Sequence, residues 1–139
     1  MTPRPIRIHS LAEARAACAA AAERGVPLLL VSAPAASAHG GALWFQDILR
    51  RAAAEFPTVS LTSVLDCADR AGDAQAALAA GVRAVLFTGP APVAERLADI
   101  AAQCGAILLT ERPSALDLRD AGRAEDACRA WLGDGQSPC

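Results

Sequence analysis

The residues that could carry chemistry are few. They are Ser32, Asp66, Cys67, Asp69, Thr88, Gly89, Glu111 and Arg112, with the loop triplet His39, Gly40 and Gly41. Asp66, Asp69 and Glu111 are of a type that binds a metal or trades a proton. The same acidic residues are also common at helix starts, where they cap free N–H groups. Cys67 reads as a nucleophile or soft metal ligand if a neighbour lowers its pKa, and otherwise as a small buried thiol. Gly40-Gly41 entering a helix would let backbone N–H groups meet a phosphate. Arg112, with Arg70, offers a fork for a carboxylate or phosphate. Gly89 stands alone, no GxGxxG follows a strand, and no GxSxG accompanies the histidines.

Other chemistries are excluded outright. All 13 basic residues are arginine and tyrosine is absent. Without lysine there is no Schiff base, no pyridoxal-phosphate anchor and no P-loop. The formal net charge of −2 and the lack of a basic patch speak against a nucleic-acid partner. The five cysteines are odd in number and form no CxxC, which fits a reducing compartment. Met1 to Pro5 shows no apolar signal segment, and no apolar run approaches the ~20 residues of a membrane span. The expectation is one soluble, cytoplasmic domain over residues 1–139, with 1–5 and 133–139 frayed.

The elements that would position these residues alternate. Ile6–His9 reads as a first strand. Ser10 and Glu13 form a capping box for a helix over Leu11–Arg24, and Gly25 stops it. Val26–Ser32 is a continuous apolar run, as expected of a strand covered on both faces. A small-residue loop leads to a helix from Ala42 to Phe56, with Leu43, Trp44, Ile48, Leu49, Ala52 and Phe56 on its apolar side. Val59–Leu65, Val82–Phe87 and Ala106–Thr110 read as further strands. Helices over Asp73–Ala80, from Pro92 to Cys104 and over Arg123–Leu132 complete the pattern, the last anchored by Trp131. Residues 113–120 are ambiguous.

One module recurs at Gly25, Gly81 and Gly105: helix, glycine, apolar strand. Such alternation predicts an α/β fold of about five βα units with a parallel sheet. A TIM-barrel-like partial barrel is the leading arrangement, and a flavodoxin-like doubly wound sheet is the alternative. A full eight-unit barrel needs roughly 200 residues or more. In either case function gathers beyond the C-terminal ends of the strands.

In order along the chain, residues 10 to 112 resemble the class II, zinc-dependent fructose-bisphosphate aldolases. Leu28-Leu29-Leu30-Val31-Ser32, with its loop and Gly40-Gly41, looks like that family's second strand and loop. Ala52-Ala53-Ala54-Glu55-Phe56-Pro57 is similar to the next family helix. Val64-Leu65-Asp66-Cys67-Ala68 lies where the family has His-x-Asp-His-Gly. Ala77-Leu78-Ala79-Ala80-Gly81-Val82 resembles the following helix stop. The resemblance implies that Asp66 matches the proton-transfer aspartate and Glu111 a metal-site glutamate. Cys67 stands where a zinc histidine belongs, Val64 replaces the other, and Thr88 replaces an aspartate. A catalytic zinc takes three protein ligands, so Cys67 and Glu111 alone imply no cofactor.

Two functional readings follow. The first is a non-catalytic or vestigial domain that binds a small anionic ligand through Ser32, His39, Gly40, Gly41, Thr88, Gly89 and Arg112. In that reading it self-associates as a homo-oligomer, because a partial barrel leaves sheet edges to cover. The second is a lyase or isomerase acting on a small phosphorylated or carboxylated substrate. There Asp66 is the acid or base, assisted by Cys67 or Glu111.

Overall fold

Ser10 opens the first helix as its side chain suggests. Its Oγ accepts from the Glu13 N–H at 3.2 Å, and Glu13 returns a bond to the N–H of His9 at 2.8 Å, one residue earlier than a standard box. The structure, a computed structural model, describes residues 3–38, 40–120 and 122–134. The helix is α1, Leu11–Arg24, and Gly25 closes it in the left-handed region at φ 66°. Gly81 and Gly105 repeat that backbone at φ 95° and 71°, so the recurring glycine module is real.

The strands are β1 Pro5–Ile8, β2 Leu28–Ser32, β3 Leu61–Asp66, β4 Ala84–Leu86, β5 Ile107–Leu109 and β6 Leu116–Asp117. The other helices are α2 Gly41–Glu55, α3 Ala71–Ala79, α4 Ala91–Gln103 and α5 Ala124–Asp134. All six strands form one parallel sheet in the order β5-β4-β3-β2-β1-β6. From β1 to β5 the order follows the chain, as in a run of barrel units. The sixth strand departs from it, turning back to lie outside β1 as a doubly wound sheet would. It comes from the segment 113–120 that the sequence leaves ambiguous. Leu28, Leu30 and Val31 of β2 are fully buried, as a two-sided cover requires. Each such side chain is worth roughly 1.5–3 kcal/mol relative to exposure.

The residues group into two compact units interleaved along the chain. The first holds Met1–Val31, Ile48–Thr62 and Ser114–Cys139. Within it α1 packs along α5, with Ala14, Ala17, Cys18, Ala21, Cys128 and Leu132 buried. Trp131 anchors α5 as expected: its indole N–H donates to the Pro5 carbonyl at 3.0 Å, and the Arg4 guanidinium sits 3.7 Å above its ring.

The second unit holds Ser32–Asp47 and Ser63–Pro113. It contains the start of α2, where the expected apolar side is corrected. Leu43 and Trp44 are 74% and 40% exposed, while Phe45 is buried. Phe45, Ile48 and Ala52, spaced i, i+3, i+7, are the side that is covered. Trp44 instead lies against Gly40, where an added β-carbon would come within 2.8 Å of the indole.

Candidate functional site

The strand-end cluster is built from residues of the second unit. Asp66 ends β3 and its side chain is completely buried. A carboxylate there must be matched by donors, because an isolated buried charge costs several kcal/mol. At least four donors among the described residues meet it. Arg112 grips it with two bonds, Nε to Oδ2 at 2.7 Å and Nη2 to Oδ1 at 3.2 Å. The Ala68 N–H donates to Oδ1 at 2.9 Å, a turn that aspartate favours two residues on. The Ala35 N–H reaches the same oxygen at 3.4 Å. The backbone N–H of Asp66 itself donates to Ser32 Oγ at 2.8 Å, and that hydroxyl donates to the Ala33 carbonyl at 3.1 Å.

Ala35 and Ala68 share a further property. They are the non-glycine residues with positive φ among those described, at 58° and 50°. Left-handed backbone costs an L-residue roughly 1–2 kcal/mol. Both strained alanines therefore aim their N–H groups at one carboxylate oxygen, and nothing in an alanine announces that. Arg112 in turn has its pKa raised by the hydrogen bond and the charge of Asp66, against the opposing effect of partial burial.

The other expected residues fare differently. Cys67 is buried, and burial first, then the nearby charges of Asp73 and Asp66, push its thiol up to about 11, despite a hydrogen bond from Ser37. A thiol so placed yields less of the reactive thiolate at neutral pH than a free one. Glu111 and Asp69 are exposed. No group of three His, Cys, Asp or Glu residues that could hold a metal occurs among the described residues. Thr88 is exposed and donates its backbone N–H to the Ala68 carbonyl at 2.8 Å, tying β4 to the loop after β3. His39 lies outside the described residues.

Gly40 and Gly41 line a cavity of about 320 Å³ with Ser37, Leu43 and Asp73. Its charged residue is acidic, which does not suit an anion, and Asp73 is already paired with Arg70 and Ser37. Gly89 belongs to a second cavity of about 370 Å³, beside Glu95, Leu108 and Thr110. Glycine is needed there because a β-carbon would overlap the Phe87 ring. The expected site residues thus separate: Ser32, Asp66 and Arg112 form a strand-end cluster, while Gly40 with Gly41 and Gly89 line two different cavities.

One cluster escapes sequence reasoning altogether. In the first unit, His9 Nε2 lies 2.6 Å from Asp117 Oδ1, and His9 Nδ1 lies 3.3 Å from Arg119 Nη2. A guanidinium only donates, so a neutral His9 ring would accept from it at Nδ1 and donate to Asp117 from Nε2. The sole sequence signal was that His9 closes a strand. No protein-family model matches the chain, and no curated protein matches it in sequence.

Proposed function

We propose that this chain is a non-catalytic α/β domain of aldolase-barrel type, working in the cytoplasm as a homo-oligomer and holding a small anion at its strand ends. The observation that carries the reading is the two-point grip of Arg112 on a wholly buried Asp66. A proton-transfer aspartate needs an oxygen that a substrate can reach. Both oxygens of Asp66 are engaged, so it acts as a fixed counter-charge. Its role becomes the aiming of Arg112. The Arg112 side chain is 38% exposed, and Nη1 takes part in neither bond to Asp66. That nitrogen suits a carboxylate or phosphate arriving from solvent.

This also gives the aldolase resemblance a physical sense. The aspartate that the resemblance matches is the last residue of β3, while Val64 and Cys67 stand in the histidine positions and are buried. The lyase or isomerase reading loses support for the same reason.

The test uses the full chain. Phosphate, pyrophosphate and dihydroxyacetone phosphate should each raise its melting temperature, and Arg112→Gln should abolish the shift. With dihydroxyacetone phosphate and zinc in deuterated water, no carbon-bound hydrogen should exchange. Exchange that Asp66→Asn removes would overturn the non-catalytic reading. Anion binding that is indifferent to Arg112→Gln would overturn the assignment of the site.

A further inference from the structure

Three elements of the first unit meet at His9. The residue follows β1, and its backbone N–H is held by Glu13 of α1. Its side chain is only 14% exposed. Nε2 faces Asp117 at the end of β6. Nδ1 faces the guanidinium of Arg119, in the short helical turn Leu118–Asp120 that follows. Asp117 Oδ1 also accepts from the Arg119 N–H at 3.0 Å. The carboxylate therefore holds one ring nitrogen and the start of the turn. The guanidinium of the same turn closes on the other nitrogen.

The two nitrogens face partners of opposite demand. Burial raises the Asp117 pKa, but the bonds from the Arg119 N–H and His9 outweigh that and leave it lowered. Asp117 is therefore an acceptor, whereas Arg119 can only donate. A neutral imidazole satisfies both, donating from Nε2 and accepting at Nδ1. An imidazolium has two donors and no acceptor. It would hold Asp117 more tightly, through a charge-assisted bond. Toward Arg119 it would set donor against donor and cation against cation at 3.3 Å. One proton thus pushes the two contacts in opposite directions. The charged groups around the ring are Asp117 from β6, Arg119 from the turn, Glu13 from α1 and Arg7 from β1. Their formal charges cancel, two against two, so the ring proton sets the sign of the cluster.

We infer that His9 is a proton-operated latch on Arg119. While the ring is neutral, it ties the turn Leu118–Asp120 to the end of β1 through the guanidinium. When the ring takes up a proton, it keeps Asp117 and releases the Arg119 side chain to solvent. Arg119 is exposed, so water can satisfy its donors after release. The backbone bond from Arg119 to Asp117 needs no ring nitrogen, so the turn keeps its place while the side chain leaves. Imidazole is the side chain that changes charge near neutral pH. Carboxylates and guanidiniums such as its neighbours do not. Every residue of the latch belongs to the first unit and Arg112 to the second, so the latch can be tested without an anion.

An NMR titration of the full chain between about pH 5 and 8 is the test. It follows the His9 ring, assigned by its loss in His9→Gln, and the Arg119 Nε–H signal. Both should change along one curve, the Arg119 signal moving toward that of a free arginine in acid. Arg119→Ala keeps the backbone N–H and should move the His9 midpoint to higher pH. The proton should bind about two- to fivefold more tightly, as expected for losing one part-exposed like charge. Asp117→Asn should move the midpoint the other way. If Asp117→Asn disturbs the fold, Arg119→Ala, at an exposed position, still decides. An Arg119 signal that ignores the His9 titration would overturn the latch. So would a His9 midpoint that Arg119→Ala leaves unmoved or lowers.

Discussion

Two carboxylates close two strands of this sheet, and they live differently. Asp66 has no exposed surface and is held by an arginine fork and two backbone donors. Asp117 is 42% exposed and holds a histidine and one backbone N–H. The chemical groups are alike, but the solvent is not. Water can replace the partners of Asp117, whereas it does not reach the buried carboxylate of Asp66. The contrast teaches that burial, more than the number of bonds, sets what an ion pair is worth.

The largest effect should come from Arg112→Ala. It strands a buried charge, and we expect a loss of ~3 kcal/mol in urea unfolding, near the low end for such pairs because the guanidinium is partly wet. Adding Asp66→Asn to that background should restore about half, since the amide oxygen still accepts from Ala68 and Ala35. A loss below ~0.5 kcal/mol for the single variant would erase the contrast.

Next in size is thiol reactivity. Cys104 is exposed, whereas Cys18, Cys67 and Cys128 are buried. Burial raises Cys18 and Cys67 to about 11 and Cys128 to about 12. Burial both lowers the thiolate fraction and blocks the reagent. Iodoacetamide at pH 7.5, followed by peptide mass spectrometry, should label exposed Cys104 much faster than Cys67. Fast labelling of Cys67 in the folded protein would revive it as a nucleophile.

The smallest effect belongs to Asp117→Asn. Burial raises the Asp117 pKa. The bonds from the Arg119 N–H and His9, with the charges of His9 and Arg7, outweigh that and leave it lowered. A lowered carboxylate adds stability above its unfolded pKa, about 4, and loses it as pH falls through the folded value. The variant should cost under ~1 kcal/mol at pH 6 and less at pH 2, so its acid unfolding limb should be flatter. Equal costs at both pH values would show that the carboxylate acts by packing alone.

Much of the fold was legible because its signals are local. Ser10, Glu13 and Gly25 define α1 within a few residues of its ends, and the apolar run of β2 reports two covered faces. What was not legible depends on distance or on register. β6 has two residues, too short for any periodicity. The covered side of α2 is set by what packs on it, so Phe45 displaced Leu43 and Trp44. In the candidate site, Asp66 and Arg112 were each visible as strand-end residues. Their union was not, because 46 positions separate them. His9 and Asp117 are 108 apart. Left-handed Ala35 and Ala68 carry no signal, since alanine has no preference for that backbone.

The four donors on Asp66 also order events in time. Ala68 is two residues away, Ala35 is 31 and Arg112 is 46. The local turn can form as soon as β3 ends. The arginine arrives only after β4, α4 and β5 have been laid down, since closing a long loop precedes its reward. The fork is then among the last contacts made in refolding and among the first lost on unfolding. Removing it should speed the unfolding limb of a chevron plot and leave the folding limb almost where it was.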